Sequence, residues 1–238
     1  HVAVAGSEVY VMADAGLVLL DLADPLHPRW RATVPLKDGR ASMRQFRYVF
    51  VTDAEGLKVI DVTQTDAPRL VPGAAVPMAS AGKLFVARTY AYVANGRDGL
   101  AIVDVERPEA PRLYQMFNAG GALKDARDVV IASTNASLFA YVADGMDGLQ
   151  VLQLTAPDTQ PNFYGFSPEP RPELIARRPT RAPALALSRP LERDRAVDET
   201  GGQVAVFGRR GARPLTLREM QQLYLDEKGQ PWYVEDHE

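Results

Sequence analysis

The sequence predicts an all-β protein, a propeller-type array of at least four four-stranded blades, on three observations. A six-residue pattern recurs four times: Gly16-Leu-Val-Leu-Leu-Asp21, Gly56-Leu-Lys-Val-Ile-Asp61, Gly99-Leu-Ala-Ile-Val-Asp104 and Gly148-Leu-Gln-Val-Leu-Gln153. Its glycines are spaced by 40, 43 and 49 residues, the period expected of a repeat array. No segment before residue 162 has a helical period.

Each copy is built in the same order. A strand-like run comes first: Val9-Tyr-Val-Met12, Tyr48-Val-Phe-Val51, Tyr90-Ala-Tyr-Val93 and Phe139-Ala-Tyr-Val142. Turn residues follow, as in Asp53-Ala-Glu-Gly56 and Asp144-Gly-Met-Asp-Gly148. β-Branched and aromatic runs joined through Asp, Asn and Gly predict a β-hairpin, the glycine supplying the positive φ. Prolines then sit four residues past the closing Asp or Gln (Pro25, Pro108, Pro157) or seven past it (Pro28, Pro68, Pro111), slipping to Pro161 in the last copy. Proline cannot donate to a ladder, so this stretch is a crossing and not a strand. After Arg29, Arg69 and Arg112 the chain extends again. A further short run precedes three hairpins (Val2–Ala5, Lys83–Ala87, Asp128–Ala132), which makes about four strands per repeat, one blade.

The Tyr-Val-Ala-Asp-Gly…Gly-Leu-x-Val…Asp…Pro…Pro pattern, clearest at Tyr92 to Pro111 and Tyr141 to Pro161, resembles the LVIVD-repeat proteins. The resemblance spans roughly residues 1 to 166. It implies a β-propeller from a bacterial or archaeal surface or exported protein, and some relatives accompany multihaem cytochromes. It brings no shared catalytic residues. Gln153 departs from the family's Asp.

Two regions follow: blades over 1–166, and a Pro/Arg-rich extension over 167–238. Ten arginines against five acidic residues lie between Arg171 and Arg213. Residues 167–194 are expected to run without regular structure. A degenerate hairpin is legible at Arg195–Asp198, Gln203–Phe207, Arg209–Gly211 and Leu215–Leu217. Thr216-Leu-Arg-Glu219 reads as a capping box for a short helix through Leu225.

The chain is 238 residues long with a net charge of −3, 46% hydrophobic and 24% charged: an ordinary globular composition. That charge argues against a surface built for nucleic acid, and no apolar run reaches the length of a membrane span. Without cysteine there are no disulfides, thiolate metal sites or haem attachments. Three histidines and no Gly-x-Ser-x-Gly leave little material for a nucleophile–base pair, and no phosphate-binding loop is present. Because it opens at His1, the chain is read as processed, truncated or partial, with further blades expected before it.

The Asp/Gly turns offer too few oxygens for calcium and are read as turn-makers. Asp21, Asp61 and Asp104, each at a strand end, are read as acceptors for backbone N–H groups two residues on. Tyr10, Phe50, Tyr92 and Tyr141, once per blade, are read as inter-blade packing, as are Leu17, Leu57, Leu100 and Leu149. No catalytic, cofactor-binding or metal-binding residue is expected. The expected role is a non-enzymatic extracytoplasmic scaffold contacting a protein partner. The alternative is an accessory subunit beside a multihaem cytochrome. The candidate contact residues are Glu55, Arg97, Asp98, Met146 and Asp147, since turns and inter-blade connections fall on one rim.

Overall fold

The computed structural model describes residues 1–134, 137–156 and 167–188, and beyond them 209–210, 213–214, 218 and 228. The chain divides into two compact units, His1–Ser188 and Arg189–Glu238.

The first unit is four antiparallel four-stranded meanders in chain order. Blade 1 is β1 (Val2–Ala5), β2 (Glu8–Ala13), β3 (Gly16–Asp21) and β4 (Arg29–Val34). Blade 2 is β5 (Ala41–Gln45), β6 (Tyr48–Asp53), β7 (Gly56–Asp61) and β8 (Arg69–Pro77). Blade 3 is β9 (Leu84–Ala87), β10 (Tyr90–Ala94), β11 (Leu100–Asp104) and β12 (Arg112–Phe117). Blade 4 is β13 (Asp128–Thr134), β14 (Ser137–Ala143), β15 (Leu149–Gln153) and β16 (Glu173–Arg178). β1 packs beside β5, β5 beside β9 and β9 beside β13, so the first strand is the inner edge of each blade.

The repeat pattern sets the details. Gly99 has φ +82°, and a Cβ there would lie 2.4 Å from the Phe117 carbonyl oxygen, so β11 starts hard against β12. Ladder register shifts in every blade at the third or fourth residue after the pattern glycine: at Leu19/Leu20, Lys58/Ile60, Ile102/Val103 and Val151/Leu152. A bulge repeated in four sheets is part of the blade's design, bending its outer strand.

The Asp that ends the first three copies of the pattern does what its position predicts. Asp21 Oδ1 accepts from Ala23 N–H (2.8 Å), Asp61 Oδ1 from Thr63 N–H (2.8 Å) and Asp104 Oδ1 from Glu106 N–H (3.0 Å). Across the ladder these residues face Arg29, Arg69 and Arg112. In blade 4 the facing residues are Gln153 and Glu173, so an aspartate at 153 would set two carboxylates opposite each other.

β16 corrects the expectation that residues 167–194 lack regular structure. The first three blades open their fourth strand eight residues after the aspartate, whereas β16 opens 20 residues after Gln153. Pro172 and Pro179 bracket β16 without entering it, which reconciles the proline-rich composition with a strand. The blades therefore run past residue 166.

Three apolar clusters join neighbouring blades. Tyr10, Leu17 and Leu19 meet Val49, Val51 and Ile60 between blades 1 and 2. Phe50, Leu57 and Val59 meet Val86, Val93 and Val103 between blades 2 and 3. Tyr92, Leu100 and Ile102 meet Val129, Val142 and Leu152 between blades 3 and 4. Tyr10, Phe50 and Tyr92 are fully buried, as are Leu17, Leu57 and Leu100. The fourth copies depart from that expectation: Tyr141 and Leu149 are only half-buried. Side chains alternate across a strand, and Gln150 and Leu152 take the buried face of β15, which leaves Leu149 and Val151 on its other face.

In the second unit, Arg209–Arg210 pairs antiparallel with Arg213–Pro214. Thr216, the expected helix apart from Arg218, the runs at 195–207 and the crossing at Pro157 to Pro161 lie outside the described residues.

Candidate functional site

In a four-strand meander the second hairpin turn and the connection to the next blade fall on the same rim, and hydrogen bonds tie them together here. Gly96 and Ala126 exchange both backbone bonds at 3.0 Å, and Gly145 and Ala184 do so at 3.1 and 2.8 Å. Ala54 N–H donates to Lys37 O (2.8 Å) and Met78 N–H to Glu55 O (3.2 Å).

Three polar residues of these turns, Asp53, Asn95 and Asp144, are buried and hold the rim in place. Asp53 has no exposure; it accepts from Glu55 N–H (2.9 Å) and pairs with Lys58 Nζ (2.6 Å). Asn95 Oδ1 accepts from Ser80 N–H at 3.0 Å. Asp144 accepts from the N–H groups of Lys124 (3.0 Å) and Asp125 (2.7 Å). These Asx residues make and pin turns, the role that their sequence context predicts.

Glu55, Arg97, Asp98, Met146 and Asp147 all sit in these turns. Glu55 pairs with Lys58 Nζ (2.7 Å), Asp147 with Lys124 Nζ (3.1 Å), and Asp98 accepts from Asn95 Nδ2 (3.3 Å). Met146 is 73% exposed. Arg97 is exposed and makes no ion pair among the described residues. Of the five, Arg97 alone lines a cavity on this rim.

That cavity, of about 520 Å³, opens at the inner end of the rim. Arg40, Lys83, Arg97 and Arg127 line it, with Ser80 and a single carboxylate, Asp125. They arrive on separate elements: the entries to β5, β9 and β13, and the β10–β11 turn. Arg40 and Arg127 occupy one register position, their N–H groups donating to the Thr52 and Ala143 carbonyls (2.8 Å each). In blade 3 that position is Gly82, whose N–H donates to Ala94 O (2.7 Å), and Lys83 takes the next one. A Cβ at Gly82 would approach Ala94 O at 3.1 Å and Arg127 O at 3.3 Å, so the cation moves one step along the strand.

The guanidinium groups are partly anchored. Arg40 bonds Asp38 Oδ2 through Nε (3.1 Å) and Nη2 (2.9 Å) and reaches Ala81 O through Nη1 (2.7 Å). Arg127 Nε meets Asp125 Oδ1 at 2.7 Å. Lys83 Nζ lies 3.0 Å from His1 Nδ1, and His1 Nε2 lies 2.9 Å from Ser42 O. Lysine and arginine only donate, so the cavity holds four donor-only side chains against one carboxylate.

Sequence reading found Arg97 through its turn but missed Arg40, Lys83 and Arg127. A signal was present: a basic residue immediately precedes the first strand of every blade, as His1, Arg40, Lys83 and Arg127. The alternating strand pattern drew attention to what followed these residues instead.

Residues 80–119 match the family model described as the LVIVD repeat. No curated protein matches the chain. Among solved structures, a 6-phosphogluconolactonase candidate from Bacteroides uniformis is similar at a TM-score of 0.60 and 13% identity, over 86% of this chain and 62% of that one. AztD from Citrobacter koseri, in its apo form, is similar at a TM-score of 0.41 and 19% identity, over 75% of this chain and 48% of that one. The chain thus spans less than two thirds of either structure. The first of these likenesses bears on the fold alone: sheets in sequential four-stranded meanders, of propeller type. No helix among the described residues is long and apolar enough to cross a membrane.

Proposed function

We propose that these propeller blades, with an LVIVD repeat among them, form a non-enzymatic binding module that acts outside the cytoplasm through protein–protein contact at the turn-bearing rim. The supporting observation is the pinning of that rim. Buried Asp53, Asn95 and Asp144 and the paired bonds of Gly96–Ala126 and Gly145–Ala184 hold the turns on a stiff base. Exposed residues on a rigid scaffold bind a partner without first losing much loop entropy. The exposed set combines an apolar Met146 with charges of both signs, the mixture of a polar protein interface. The extracytoplasmic placement rests on the family resemblance.

Two charge reversals test the reading, Arg97→Glu and Asp147→Lys. Both sites lie on the surface, so both variants should melt with the wild type. Each should lose most of a partner captured by cross-linking from the native extracytoplasmic fraction. Capture that survives both reversals counts against the rim. A haem Soret band in the captured complex would identify a cytochrome partner.

A further inference from the structure

We propose that the cavity at the inner end of the rim is a receptor site for a small organic polyanion, one bearing two or more carboxylate or phosphate groups. Its lining carries four cations and one carboxylate, and with Asp38, which pairs with Arg40 from outside the lining, two positive charges remain in excess, in a chain whose overall charge is −3. The excess is therefore local, brought together by the fold from residues as far apart in sequence as Arg40 and Arg127. Like charges converging on a concavity repel one another, and an anion bound between them removes that cost.

The donors suit oxyanions. Three of the four are guanidinium groups; the nitrogens of Arg40 are engaged by Asp38 and Ala81, while Arg97 and the Nη pair of Arg127 present planar forks that match carboxylate and phosphate oxygens two at a time. Arg40 and Arg127 are already oriented by Asp38, Ala81 and Asp125, so little side-chain entropy remains to be lost on binding. Arg97 makes no ion pair among the described residues and is free to close on a ligand. About 520 Å³ lies within the range of small-molecule sites. The surroundings favour a compact ligand over an extended polyanion. Asp98, which meets no cation among the described residues, stands on the same rim outside the lining, where it would repel a nucleic-acid backbone or an anionic membrane.

This proposal goes beyond the protein-contact reading and shares only Arg97 with it. Arg127→Ala probes the anion site and Asp147→Lys the protein contact, so either can fail alone.

Isothermal titration of the full chain with citrate and with inorganic pyrophosphate, at low and moderate salt, tests the site. Saturable one-to-one binding of at least one probe is expected, weakening as salt rises. Citrate alone would identify a polycarboxylate ligand, pyrophosphate alone a phosphorylated one, and both together the shared chemistry. Arg97→Ala and Arg127→Ala should each weaken binding about tenfold, as loss of one charge-assisted bond does. Arg97→Lys should recover part of the loss. Arg69→Ala removes the same charge from an exposed position where β8 begins, on the opposite rim, and should leave binding unchanged. Absence of saturation by either probe up to about 10 mM overturns the proposal. So does a loss in Arg69→Ala equal to that in Arg97→Ala, because general surface charge would then account for the binding.

Discussion

Asp144, wholly removed from solvent, accepts a hydrogen bond from the backbone N–H of Asp125 at 2.7 Å, tying the second turn of blade 4 to the segment that enters the blade. Asp125 in turn holds Arg127 Nε at 2.7 Å, so a buried carboxylate underlies one wall of the basic cavity. Replacing Asp144 with alanine strands two N–H groups, those of Lys124 and Asp125. The expected loss is about 2–4 kcal/mol by urea denaturation, and Asp144→Asn, which keeps an acceptor oxygen, should lose less. Equal midpoints for the two variants would remove the carboxylate from this role.

Leu100 and Leu149 open equivalent strands, yet only Leu100 is fully buried. Leu100→Ala should therefore cost about 2–5 kcal/mol in thermal or denaturant unfolding, through lost burial and the cavity left behind. Leu149→Ala should cost clearly less. Equal losses would mean that the outer face of β15 is as well packed as the inter-blade cores.

Gly99→Ala tests the close approach of neighbouring strands. Its Cβ would sit 2.4 Å from the Phe117 carbonyl at a φ of +82°, so β11 and β12 must part or the turn must deform. A loss of at least about 1–3 kcal/mol in the unfolding midpoint is expected, from strain at a left-handed position combined with the clash.

Acid sensitivity should be traceable to the strand-end aspartates. The Thr63 hydroxyl, and then the Thr63 N–H, hold the Asp61 carboxyl below its ordinary value of 3.8. A depressed folded value means that the unfolded chain binds the proton more readily. The stabilisation is thus complete above the ordinary value and is lost as pH falls through the folded one. Thr63→Val removes the hydroxyl and keeps the N–H. The drop in denaturation midpoint between about pH 5 and pH 2 should be smaller in this variant than in the wild type. An identical acid limb would show that Asp61 does not contribute to it.

Much of the fold was legible because it is written in local chemistry. A hairpin needs positive φ, so glycine marks where each third strand begins. A strand end needs an acceptor, so Asp21, Asp61 and Asp104 recur and bond two residues on. β16 was not legible, because the 20-residue separation from Gln153 broke the spacing that located its three counterparts. Its bracketing prolines then looked like irregular chain. Within the candidate site, Arg97 stood out by lying in a turn, while Arg40, Lys83 and Arg127 sat beside strands and drew no notice.

By itself the sequence determined the repeat: four hairpins, their turns and three capped strand ends, since each depends on residues within a few positions of one another. Tertiary structure decided which copies of a repeated side chain become core. Leu100 has a neighbouring blade across from it, whereas Leu149 lies on the face of β15 turned away from blade 3. It also decided that Arg40, Lys83, Arg97 and Arg127 meet at one cavity. Their convergence depends on how blades stack side by side, which brings together residues from three blades that no local spacing relates.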